Sequence, residues 1–138
     1  KLNAIDIKSG SQLWRTGKYK VRETVGLSDD GQKLFIRTMN DTILALPVSE
    51  KLEEPFWITN CGFGYDISSA QIVEKDGVIF YATKNGMIYS LDSETGKILW
   101  QHKSTNGFVN TITPLSKDEI ITTDFDGRVN RIGIFLII

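Results

Sequence analysis

The chain has one cysteine and one histidine in 138 residues. A single cysteine, Cys61, excludes an intrachain disulfide and any multi-cysteine zinc site. A single imidazole, His102, argues against zinc catalysis, and any Ser-His-Asp arrangement would have to use it. No run of about 18 apolar residues is present, and no secretory leader pattern. Neither charge sign is in excess. Sixteen basic residues meet 17 acidic ones for a net charge of −1, which gives no general pull toward nucleic acid or an anionic membrane. Helical periodicity is also missing: no stretch keeps apolar residues at i, i+3, i+4 and i+7 over about 11 residues. Lys1 is not an initiating methionine, so a leader, further repeats or another domain are expected outside this sequence.

What remains is the composition of a globular domain, 41% hydrophobic and 24% charged. Its main regularity is the tryptophans. Trp14, Trp57 and Trp100 fall at equal intervals of 43 residues, a period that suits propeller blades or two-helix repeats. Between them lie runs of about 5–7 residues rich in Ile, Val, Thr, Tyr and Phe, bounded by Gly, Asn and Asp turns, and that is strand chemistry.

The runs predict 13 strands. Leu2–Ile7 and Gln12–Thr16 form a first, partial unit. Val21–Leu27, Lys33–Thr38, Thr42–Leu46 and Phe56–Thr59 form the second, turning at Asp29-Asp30-Gly31 and Asn40-Asp41. Ser69–Val73, Val78–Thr83, Met87–Leu91 and Ile98–Gln101 form the third, joined at Asp76-Gly77, Asn85-Gly86 and Glu94-Thr95-Gly96. Val109–Leu115, Ile120–Thr123 and Arg128–Ile132 form a fourth, with its turn at Asp126-Gly127. Asn-Gly and Asp-Gly suit tight hairpins because both residues accept positive φ. Four antiparallel strands make one propeller blade. The expectation is an all-β fold of about three blades, with units near residues 1–16, 17–60, 61–103 and 104–138, forming part of a larger propeller. In the second unit Pro47–Pro55 replaces a glycine turn and is expected to protrude. The apolar tail Gly133–Ile138 must be buried or paired, for instance as a fourth strand.

Two stretches carry a family pattern. Ala4, Asp6, Gly10 and Trp14 repeat as Ser90, Asp92, Gly96 and Trp100, with Thr95 before the second glycine. A third copy keeps Ala45 and Trp57 but lacks the Asp and Gly, and the last unit has Arg131 and Gly133 where Ala and Asp would stand. The pattern resembles the tryptophan-docking motif of the PQQ-like, quinoprotein-type β-propeller repeat family, and the resemblance covers nearly the whole chain. WD-type propellers fit less well, since no Trp-Asp or Gly-His pair occurs. The motif also makes physical sense by itself. A tryptophan lying between blades buries about 150–250 Å², a small residue leaves room for the ring, an aspartate accepts backbone N–H bonds from its turn, and glycine supplies a positive φ.

The resemblance implies three functions. The first is a non-catalytic binding or scaffold module, as in the propeller lipoprotein of the barrel-assembly machinery or in propellers attached to enzymatic domains. Its candidate partner surface is Glu50, Lys51, Glu53 and Glu54 of the irregular loop with Phe63 and Tyr65 of the glycine-rich connector, and its partner is a protein or an attached domain. The second is a PQQ-dependent dehydrogenase whose catalytic residues lie elsewhere, which would bring PQQ and Ca²⁺; otherwise no cofactor is expected in this window. The third is a carbohydrate-binding propeller using aromatics such as Tyr65 and Tyr81. An exported, periplasmic location follows from the resemblance alone. No catalytic or metal-ligating residue is assigned. Asp124-Phe125-Asp126-Gly127 reads as a hairpin turn rather than a calcium loop, which needs about six to eight oxygens. Asp29-Asp30 reads as a turn, His102 as a rim residue, and Cys61 as a buried structural thiol. The connector Asn60–Tyr65 lacks the Gly-Lys-Ser/Thr ending of a phosphate loop.

Overall fold

The computed structural model describes residues 1–39, 42–62, 71–83, 85–104 and 109–134, with backbone alone at 23 and 24. Among these residues every regular element is a strand. The 13 strands are β1 Leu2–Ile5, β2 Gln12–Thr16, β3 Val21–Leu27, β4 Lys33–Thr38, β5 Thr42–Pro47, β6 Trp57–Asn60, β7 Val73–Lys75, β8 Val78–Ala82, β9 Met87–Asp92, β10 Ile98–Lys103, β11 Val109–Ser116, β12 Glu119–Asp124 and β13 Val129–Gly133. They form four antiparallel sheets of consecutive strands: β1-β2, β3-β4-β5-β6, β7-β8-β9-β10 and β11-β12-β13. No strand crosses from one sheet to another, as expected of blades.

Period-2 alternation explains how the sheets stack. In β8, Ile79 and Tyr81 join Phe35, Ile43, Ala45 and Trp57 of the second sheet in one core, while Val78, Phe80 and Ala82 join Val109, Ile112 and Ile120 of the fourth in another. Ile36, Leu44 and Leu46 turn the other way and pack with Leu2 of the first unit and with Tyr19, between β2 and β3. The third sheet is thus buried on both faces, which is why β8 is apolar throughout rather than alternating.

Several bounds differ from expectation for local reasons. β1 stops at Ile5 because Asp6 already holds its turn. β7 begins at Val73, not Ser69; Gln71 and Ile72 precede it, and 69–70 lie outside the described residues. Asp76-Gly77 takes positive φ at both residues (51° and 77°), but at Asn85-Gly86 and Asp126-Gly127 only the glycine does. The Asn40-Asp41 turn and tail residues 135–138 lie outside the described residues.

Gly26 went unnoticed in the sequence. It sits on β3 where the second sheet meets the third, and a Cβ there would lie 2.5 Å from the carbonyl oxygen of Ile72. Gly26→Val is expected to cost about 1–3 kcal/mol through overpacking, measured as a lower urea midpoint. An unchanged midpoint would mean the two strands part without penalty.

Candidate functional site

Each small motif residue pairs with its tryptophan across the last two strands: Ala4 with Trp14, Ala45 with Trp57 and Ser90 with Trp100. The rings then reach toward the following sheet. Trp57 is 9% exposed, its Nε1 donates to the Ser93 carbonyl at 3.0 Å, and its ring lies 6.1 Å from Phe35 at 28°. It passes so close to Gly96 that a Cβ there would sit 2.5 Å from Cδ2, and Thr59 Oγ1 donates to the Gly96 carbonyl at 2.5 Å. Trp14 Nε1 donates to the Ser49 carbonyl at 3.0 Å, at the start of the irregular loop. Trp100 is half-buried, 6.0 Å from Phe80, and its buried Nε1 has no hydrogen-bond partner among the described residues.

Both motif aspartates face their own turns. Asp6 Oδ1 accepts from Lys8 N at 2.9 Å and its Oδ2 from Ser9 Oγ at 2.9 Å. Asp92 Oδ1 accepts from Thr95 N at 2.8 Å, Thr95 Oγ1 at 2.9 Å and Glu94 N at 2.9 Å. Gly10 and Gly96 both have φ of 71°, and each N–H donates to the carbonyl of its aspartate at 2.8 Å. The Thr95 N–H holds the Asp92 carboxyl below its ordinary range, against burial, with the Thr95 hydroxyl and Glu94 N–H adding to it. A carboxyl lowered by folding stabilises the fold above its unfolded pKa, near 3.8, and loses that contribution as pH falls through the lower folded value. Asp92→Asn is therefore expected to lower Tm at pH 7, with the gap from the parent closing as pH falls below 3.8. A gap independent of pH would show that the charge is not what stabilises the turn.

The loop between β5 and β6 is tied at both ends. Val48 N donates to the Gln32 carbonyl and Phe56 N to the Ala45 carbonyl, while Lys18 Nζ reaches both Glu54 carboxylate oxygens at 2.9 and 2.8 Å. Glu54 is thus engaged with Lys18, in the segment between β2 and β3, while Glu50, Lys51 and Glu53 are exposed. Phe63 and Tyr65 lie outside the described residues. Tyr81 is fully buried, which removes it as a sugar platform. Cys61 is buried and His102 exposed. Asp124 Oδ1 accepts from Asp126 N at 3.0 Å and Arg128 N at 2.9 Å, the geometry of a capped hairpin. Among the described residues no three His, Cys, Asp or Glu side chains converge to hold a metal ion.

Sequence reasoning missed two side chains at the seam between the second and third sheets. Arg37, 1% exposed, donates through Nη1 to the Tyr81 hydroxyl, its guanidinium carbon 5.3 Å from the ring centroid. Lys33, also buried, bonds Glu94 Oε1 at 2.5 Å, and that bond raises its pKa against desolvation. The clue was available: Lys33, Phe35 and Arg37 alternate along a run whose other face is Leu34 and Ile36, so charge on a doubly buried strand needed a partner.

The family model for outer membrane protein assembly factor BamB matches residues 1–133. The chain belongs to that family. Its fold is similar to BamB of Moraxella catarrhalis, with a TM-score of 0.69 at 22% identity over 90% of this chain and 37% of that one. It is also similar to the computationally designed Ika8 protein, with a TM-score of 0.72 at 14% identity over 96% and 39%. In sequence, the BamB-family chain is 38% identical over 56 residues to a lanthanide-dependent methanol dehydrogenase of Methylacidiphilum fumariolicum (strain SolV), covering 40% of this chain and 9% of the relative. It is 22% identical over 147 residues to a quinoprotein ethanol dehydrogenase of Pseudomonas aeruginosa, covering 90% and 23%. The chain thus spans well under half of the length of each of these four proteins. The four sheets are blades of a partial β-propeller, and membership alone does not separate a scaffold from a dehydrogenase.

Proposed function

We propose that the chain is part of a non-catalytic β-propeller that serves as a protein-binding scaffold in an exported, periplasmic setting, with its tryptophan motifs fastening blade to blade. The observation that carries this reading is how the motif side chains are spent. Asp6 and Asp92 bond their own turns, and Trp14 and Trp57 bond carbonyls of the next blade, so these four motif side chains are engaged internally. Function is then left to loops on a rigid frame, where binding residues ordinarily sit. The family model's description, an outer membrane assembly factor, agrees with a protein partner and with that location. Affinity capture with the full-length protein after crosslinking in native envelopes tests it. Recovery of a stoichiometric protein partner supports the scaffold, and its absence counts against it.

The second reading, a quinoprotein dehydrogenase, is favoured by the two dehydrogenase relatives. The described residues bring together no acidic or histidine cluster fitted to a metal, so no step is derived for them. Full-length protein loaded with PQQ and either Ca²⁺ or a lanthanide, and supplied with methanol or ethanol, should oxidise the alcohol to the aldehyde and pass the two electrons to an acceptor dye if this reading holds. The scaffold reading expects no reduction above the uncharged control.

A further inference from the structure

We propose that the tip of the second blade is a docking surface for a protein segment that carries apolar side chains flanked by lysine or arginine. The inference rests on the scaffold reading and names the surface and the partner chemistry it uses. Val48, Leu52 and Phe56 are 52%, 41% and 56% exposed, three large apolar side chains within nine residues. They lie in the loop beyond the ends of β5 and β6, away from the sheet faces that a neighbouring blade covers. Exposed Ile5, Val25, Leu27 and Val129 are strand residues and are left out for that reason.

The loop is held in shape before any partner arrives. Val48 N bonds Gln32 just before β4, Phe56 N bonds Ala45 of β5, the Ser49 carbonyl accepts from Trp14 of the first unit, and the Glu54 carboxylate pairs with Lys18. A loop already ordered loses little further entropy on binding, so its exposed apolar side chains contribute more of their burial to affinity. Phe56, a half-exposed aromatic at the foot of the loop, is the natural anchor.

Charge selects the occupant. The whole chain is nearly balanced at −1, but Glu50 and Glu53 are exposed around Leu52 beside Lys51, while Lys18 is paired to Glu54 and Lys33, which lies 5.9 Å from the Phe56 ring centroid, is paired to Glu94. Asp29 and Asp30 add to the acidic side, next to Gln32, whose carbonyl accepts from Val48 N. Anionic lipid headgroups are repelled by such a tip. A second copy presenting the same patch in a two-fold contact would set like charges face to face. A basic, apolar segment meets both features, with complementarity setting on-rate and selectivity.

The test uses the full-length protein and two labelled peptides with identical apolar residues, one interspersed with lysines and the other with glutamates. Fluorescence anisotropy should show the lysine peptide binding at least about tenfold tighter, weakening as salt rises from about 50 to about 300 mM. Leu52→Asp, and separately Glu50→Lys with Glu53→Lys, should each weaken it by about tenfold or more at unchanged Tm, since all three positions are exposed. Equal affinity for the two peptides, binding untouched by both variants, or a concentration-dependent dimer abolished by Leu52→Asp would overturn the proposal. A native partner still captured by these variants would remove this surface and leave the scaffold standing. Dye reduction with PQQ would instead remove the scaffold reading.

Discussion

Trp57→Ala is expected to destabilise the fold by about 3–5 kcal/mol, the range for a buried aromatic truncated to alanine. The structure ranks the three tryptophans, which the equal spacing cannot do. Trp57 is buried, its N–H is bonded to the next blade, and its ring fills the space over Gly96. Trp14 keeps the bond but is only half-buried, and Trp100 is half-buried with no such bond among the described residues. Urea unfolding followed by far-UV circular dichroism should therefore give Trp57→Ala the largest loss, with the half-buried Trp14→Ala and Trp100→Ala below it. Gly96→Val should approach the Trp57 result from the other side. Its Cβ would meet the ring and Thr59 Oγ1, and its φ of 71° is one that a β-branched residue avoids. Equal losses at all three tryptophans would show that the ring packs by area alone, with the carbonyl and the glycine playing no part.

Most of the architecture was legible because the repeat states it more than once. Leu2–Trp14 and Met87–Trp100 write the same turn twice, so Asp, Gly and Trp could be assigned before any coordinates. The turn residues then fixed where strands end. Gln12–Thr16, Val21–Leu27 and Lys33–Thr38 run as expected, and the 2, 4, 4 and 3 grouping of strands holds. What stayed hidden depends on which blade faces which. Gly26 looks like an ordinary strand glycine until Ile72 is placed against it. Tyr81 reads as a surface aromatic until Arg37 arrives from the next sheet to meet its hydroxyl. The loop Pro47–Pro55 reads as a free protrusion, but Ser49 ties it to Trp14 of the first unit and Glu54 to Lys18 just before β3. Each of these contacts joins residues at least 35 positions apart, beyond the reach of local pattern, and among the described residues only the Trp14–Ser49 bond has a counterpart in the next blade, Trp57–Ser93.

Arg37→Ala is the second large effect expected, about 2–5 kcal/mol, as for truncating a large buried side chain to alanine. Arg37 is the largest side chain in the fully buried set, so alanine opens a cavity as well as removing a charged donor from the Tyr81 hydroxyl. The pair is confined to one seam. In the hairpin registers, position 37 of the second blade corresponds to Ala82 in the third and Thr123 in the fourth. A charge at one seam only makes the second and third blades fit each other and no other pair, a registry role that buried polar groups fill in some repeats and coils. The two consequences are separable. If the bond matters for stability, a double-mutant cycle of Arg37→Met and Tyr81→Phe should give a coupling of about 1.5–3 kcal/mol, as for hydrogen bonds to charged groups. If only volume matters, Arg37→Met should recover most of the alanine loss and the cycle should close near zero. A coupling in the higher range assigns the seam's specificity to the guanidinium. A closed cycle would make Arg37 a filler whose charge the fold merely tolerates, and the blades' order would then rest on Trp57 over Gly96.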